Sequence, residues 1–117
     1  MHYRKAEVWQ VAMDMVGEVY RLVAALPPEE RFGLRSQITR AAVSVPCNVA
    51  EGWTRESPRE KAHFMAVAHG SLAETETLLT LCERQGWLGT GQTRSLRQRI
   101  DSVSRMLTTL RRRFRSA

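Results

Sequence analysis

Every long segment of this 117-residue chain repeats its apolar residues at intervals of three and four, and nothing in it reads as a β-strand. A 3.6-residue period puts such positions on one helix face, which confines the chain to all-α folds in which each helix buries a stripe. The first stripe predicts a helix from about Lys5 to about Leu26, with Val8, Ala12, Met15, Val19, Leu22 and Leu26 inward. A second row, Trp9, Met13, Val16, Tyr20 and Val23, lies beside it and makes the apolar face wider than one bundle core requires. "LPPEE" ends this helix, and "PPEERFGL" fits a helical turn, a loop or both.

The second helix is predicted over about Leu34 to Thr54, with Ile38, Ala41, Val45, Val49 and Gly52 inward and Pro46 in its interior. An interior proline removes one backbone donor and clashes with the carbonyl four residues back, at a cost of about 3 kcal/mol. A bend centred on residues 42 to 46 is therefore expected, with Asn48 or Ser44 satisfying the freed backbone groups directly or through water. "SPRE" opens the third helix, with Ser57 at the N-cap, Pro58 at the first helical position and Glu60 completing a capping box. Met65, Ala68, Leu72, Thr75, Leu79 and Cys82 form its seam, and Gly86 stops it, with Trp87 and Leu88 placed to fold back. "GTGQT" reads as a turn before a fourth helix, about Thr93 to Phe114, whose stripe is Leu96, Ile100, Val103, Leu107, Leu110 and Phe114. Four helices with short connections imply an antiparallel up-down-up-down four-helix bundle, kinked at Pro46, as one domain over residues 1–117.

Charge separates the fourth helix from the rest. Residues 94 to 115 hold eight arginines against one acid, Asp101, whereas the remainder has ten basic and eleven acidic side chains. At 100° per residue Arg94, Arg97, Arg105, Arg112 and Arg115 cluster opposite the apolar stripe, and Arg111 and Arg113 flank them. Three readings fit this face: a solvated surface, a phosphate-binding surface for RNA or DNA, and a membrane-surface helix. A solvated face usually mixes both signs, and the bundle core already needs the stripe that a membrane would take. The one-signed stripe therefore favours nucleic acid, and without a base-reading motif the binding is expected to be non-specific.

Other chemistry has little support. "EKAH", Glu60 to His63, matches the Glu-x-x-His element of di-iron bundles, but no second copy exists and the capping box uses Glu60. His63 and His69 fall on different faces, so neither a metal nor another cofactor is expected. "GTGQTR" lacks the strand and lysine of a phosphate loop. Cys47 sits among small apolar residues and is expected to be buried packing, and no Ser/His/Asp arrangement emerges, so no enzyme is predicted. Asn48, Glu51, Glu74 and Glu76 fit either a buried polar network or boundary positions that reach solvent or pair with Arg40. Two unpaired cysteines, no signal peptide and no apolar run near the ~20 residues of a membrane span point to the cytoplasm.

"YRKAEVWQVAMDMVGEVYRL", "ERFGLRSQITRAAVSVPCNVAEGWTR", "HFMAVAHGSLAETETLL" and "RQGWL" together resemble a bacterial four-helix-bundle family, up to about Leu88. That family includes proteins encoded by intervening sequences of 23S ribosomal RNA genes, and is similar to the accessory variability proteins of diversity-generating retroelements. Its pattern matches Arg40, Ala41, Ala42, Ser44, Pro46, Asn48, Glu51 and Gly52, none of them catalytic. The resemblance implies a homopentamer. For the retroelement members it also implies a basic surface that binds nucleic acid and a reverse transcriptase, so an adaptor for an acidic protein partner is the alternative function. The outer row of the first helix, Trp9, Val16, Tyr20 and Val23, is the expected oligomer interface.

Overall fold

The structure, a computed structural model, describes residues 1–117. Four helices carry the fold: α1 (Glu7–Val23), α2 (Leu34–Trp53), α3 (Pro58–Arg84) and α4 (Thr90–Ser116), with 3-10 turns at Tyr3–Lys5 and Pro28–Glu30 and no strand. Each helix packs on its neighbours in the chain, and α1 closes the ring against α4. The cross-helix contacts follow a reversed order. Glu83 meets Thr93 while His69 meets Ser104, and Ser44 meets Ser71 while Trp53 meets Lys61.

The predicted seams build the core. A cluster of 23 buried residues joins Val8, Ala12, Met15 and Val19 of α1 to Ile38, Ala41, Val45 and Val49 of α2. Met65, Ala68, Leu72, Leu79 and Cys82 of α3 and Leu96, Ile100, Val103 and Leu107 of α4 complete it. At about 1.5–3 kcal/mol per large apolar side chain fully removed from water, this interior is the main source of stability.

Several local expectations need correction. On α1, Leu22 is only half-buried and Val23, assigned to the outer row, is 2% exposed inside the core of the bundle. The reason is the end of the helix: α1 stops at Val23, and Leu26 folds under it through its backbone N–H to the Val23 carbonyl, 3.1 Å. "GTGQT" is not a turn. Thr90 to Thr93 form the first turn of α4 because Gly89 is its N-cap and donates its N–H to Gln92 Oε1 at 2.8 Å. Cys47 is exposed, since it lies about 200° around the helix from Val45, away from the buried side; Cys82 is the buried thiol.

The α3 cap forms as the sequence predicts on its serine side, with the Glu60 N–H donating to Ser57 Oγ at 3.2 Å. Gly86, at φ +79°, ends that helix and lets the Trp87 N–H reach back to the Cys82 carbonyl, 3.1 Å. Helix α2 runs on through Pro46 without a break. The Asn48 amide donates to the Ser44 carbonyl and hydroxyl at 2.8 and 2.9 Å, and that hydroxyl bonds Ser71 Oγ at 2.9 Å. Of the four residues offered as a buried network, only Asn48 joins it: Glu51, Glu74 and Glu76 are exposed, and Glu51 pairs with Arg55 rather than Arg40.

Candidate nucleic-acid interface

The fold sorts the arginines of α4 into neutralised and free ones. Arg97 lies on Glu83 of α3, with a further donor on Thr80 Oγ1 at 3.1 Å. Thr93 Oγ1 also donates to Glu83, and these contacts, the Arg97 hydrogen bond first, hold the Glu83 carboxyl below its usual range. Arg99 pairs with Glu18 of α1, a carboxylate that also accepts from Ser95 Oγ at 3.2 Å. A guanidinium on a carboxylate contributes little net field, so neither residue adds much to a surface potential.

Removing Arg97 from the free set leaves Arg94, Arg105, Arg112 and Arg115 of the residues singled out in the sequence, all exposed and none in an ion pair. They are not one patch. Arg94 stands about 27 Å from Arg112 along the helix axis at 1.5 Å per residue. Arg105, Arg112 and Arg115 instead share the last turns with exposed Arg113 and half-buried Arg111, neither of which the helical-wheel argument placed at the centre.

Those last turns form a ridge between two clefts. Toward α1, a cleft of about 500 Å³ is lined by Lys5, Glu7, Trp53, Arg105 and Arg113, among others. Toward α3, one of about 590 Å³ is lined by Arg59, His63, Arg111, Phe114 and Arg115. The wall between them is fixed by aromatic packing: Trp53 meets Phe114 edge-on at 6.3 Å and donates its indole N–H to the Met1 carbonyl at 3.0 Å. Arg111 is anchored. Its Nη1 donates to His69 Nδ1 at 3.2 Å, so that nitrogen is unprotonated and Nε2–H donates to Ser104 Oγ at 2.9 Å. Burial, with Arg111 adding to it, lowers the His69 pKa and keeps the ring neutral.

Most free arginines of α4 are thus concentrated at the end of the bundle where α1 and α3 begin and α2 and α4 finish. Such a surface can neutralise phosphates over the ~15 Å spanned by residues 105 to 115. Arg59 is not legible in the sequence as part of this cleft because it belongs to another helix, more than fifty residues from Arg111 and Arg115.

The proposed outer row of α1 is split. Trp9 and Val16 are half-buried against the core, Tyr20 is 55% exposed and Met13, left off the candidate interface, is 44% exposed. Phe32, 87% exposed, adjoins Tyr20 in a groove with Arg31, Arg35 and Arg40. No group of His, Cys, Asp and Glu side chains is assembled that could hold a metal ion. No helix is long and apolar enough to cross a membrane.

Comparison with known proteins gives the following. The model of the 23S rRNA-intervening sequence protein family matches residues 4–109. The fold is shared with a crystal structure of a protein of unknown function from the S23 ribosomal protein family of Bacteroides thetaiotaomicron, at a TM-score of 0.79 and 19% identity. That match covers 89% of this chain and 97% of the other. No curated protein matches the sequence.

Proposed function

The chain belongs to the 23S rRNA-intervening sequence protein family, and on that premise we propose that it is a non-enzymatic, cytoplasmic, homo-oligomeric bundle that binds RNA non-specifically. One observation carries the reading: Arg105, Arg111, Arg112, Arg113 and Arg115 crowd the end of α4 without a carboxylate partner, while Arg97 and Arg99 of the same helix are neutralised. Guanidiniums left free in one place create a positive field that suits a polyanion, and their planar forks suit phosphate oxygens. Bases need not be read, which fits the absence of any groove-reading element.

The oligomer is proposed as a pentamer, after the family resemblance, with Met13, Val16 and Tyr20 of α1 and the neighbouring Phe32 covered by a second copy. Exposed large apolar side chains in one region support that placement. Five copies would repeat the basic end five times around a ring, so that weak phosphate contacts add through multivalency.

The test is fluorescence anisotropy of labelled RNA and duplex DNA across a salt series, with native mass spectrometry of the same samples. Binding is expected to weaken steeply as salt rises. Charge reversal at Arg105, Arg112 and Arg115 together should abolish it without altering the mass of the assembly. Failure to bind at low salt overturns this reading in favour of an adaptor for an acidic protein partner. A monomer in the mass spectrum overturns the ring.

A further inference from the structure

The cleft between the start of α3 and the end of α4 has a composition of its own. Arg59, Arg111 and Arg115 line it with His63 and the last residue, Ala117, and no acidic side chain does. None of these three guanidiniums has an ion-pair partner, since the pairs of this protomer use Arg55, Arg97 and Arg99. Three like charges that converge on one concavity repel one another, and an anion placed among them removes that repulsion. Arg111 gives the cleft a fixed point, because His69 accepts from one of its Nη atoms while its other donors make no hydrogen bond. Ala62, Ala66 and Phe114 supply an apolar wall beside the charges. At about 590 Å³ the space falls in the range of sites for small ligands.

A phosphodiester within a strand carries one negative charge and can be met by single exposed arginines anywhere on the ridge. A terminal phosphomonoester carries between one and two and offers three oxygens to donors. Three guanidiniums around one recess, with an apolar wall adjoining, match the second better than the first. We infer that this cleft takes the phosphorylated end of a nucleic-acid strand, with Arg59, Arg111 and Arg115 holding the phosphate and Phe114 flanking the terminal nucleoside. The inference rests on the nucleic-acid reading above and adds to it a preference for ends over interiors. Inorganic phosphate shares the recognised chemistry and is the competing source.

The test uses one RNA of about a dozen nucleotides, labelled internally, in three forms: 5′-phosphorylated, 3′-phosphorylated, and hydroxyl at both ends. Anisotropy at fixed ionic strength should show at least one phosphorylated form binding about ten-fold more tightly than the hydroxyl form. The double substitution Arg59→Ser with Arg115→Ser should erase that preference. Both side chains are exposed and unpaired, so the variant should keep its helical circular dichroism. Charge reversal at Arg105 and Arg112 should weaken all three forms alike. Equal affinity for the three forms, with binding intact, overturns the strand-end assignment and leaves the nucleic-acid reading standing. Loss of all three forms in the parent protein overturns the nucleic-acid reading itself. Calorimetric binding of inorganic phosphate alongside equal affinity for the three forms assigns the cleft to free phosphate and also overturns the inference.

Discussion

Gly52 sits where α2 approaches α3 most tightly among the glycines that face another helix. A Cβ there would lie 2.7 Å from Met65 Cε and 2.8 Å from Phe64 Cβ. The methionine tip can swing away, but Phe64 Cβ is bonded to the helix backbone and cannot. Alanine at this position gains about 1 kcal/mol of helix propensity and meets an overpacking cost of about 1–3 kcal/mol. Gly52→Ala is therefore expected to lower stability by about 1 kcal/mol in urea denaturation, and a variant at least as stable as the parent would show that α2 and α3 separate freely. His69 gives the pH counterpart. It faces Arg111 and Ser104 of α4, with Asp101 of α4 and Glu76 of its own helix lining the same crevice. Its folded pKa is depressed, so the unfolded chain takes up the proton first as pH falls. Stability from the neutral ring is complete above about pH 6.5 and declines below it, toward the lower folded value. Urea midpoints at pH 7.5 and 5.5 should show the decline, and His69→Gln should flatten it in that interval. The Glu83 contribution is lost in more acidic solution, declining as pH falls through the ordinary carboxylate range and vanishing below the depressed folded value.

At the scale of the helices, the signals that act locally are legible in the sequence. Ser57, Pro58 and Gly86 act within a few residues of themselves, and the caps they form follow from side-chain and backbone chemistry alone. The same locality explains the misses. Gly91, Thr90 and Thr93 are weak helix formers, yet Thr93 is buried with its hydroxyl on Glu83, and that tertiary contact draws the segment into α4. Arg97 reads as a free charge because Glu83 lies 14 residues away, and the partner of Arg99, Glu18, is 81 residues distant. Pro46 makes α2 testable as an element. Its ring is buried and leaves the Ala42 carbonyl without the N–H that an ordinary residue would supply. Pro46→Ala restores that donor and removes the ring clash, while giving up ring packing and the stiffening of the unfolded chain. The balance is expected to favour the alanine by about 1 kcal/mol, since an interior proline costs about 3 kcal/mol. A destabilised variant would mean that the ring's packing against its neighbours outweighs the missing bond.

For the whole molecule, the decisive property is where charge is cancelled. The chain measures about 45 × 25 × 21 Å, and its two α4 ion pairs fall nearer the start of that helix, while its unpaired arginines, Arg94 excepted, fall in its second half. Net charge alone would spread a positive field over the surface; internal pairing focuses it. Arg97→Gln and Arg112→Gln remove the same formal charge from the same helix, so they separate the two ideas. Arg97→Gln leaves Glu83, whose side chain is 15% exposed, without its guanidinium. It should cost about 1–2 kcal/mol of stability, reduced from the buried-pair range because Arg97 itself is a third exposed. RNA affinity should change little, because that charge was already neutralised. Arg112→Gln should do the opposite: stability within about 0.5 kcal/mol of the parent, weaker RNA binding, and a log–log salt slope shallower by about one. Urea denaturation and anisotropy on the same two proteins give all five numbers. If both substitutions weaken RNA binding equally, the ion pairs do not shape the field and the binding surface extends along the whole of α4.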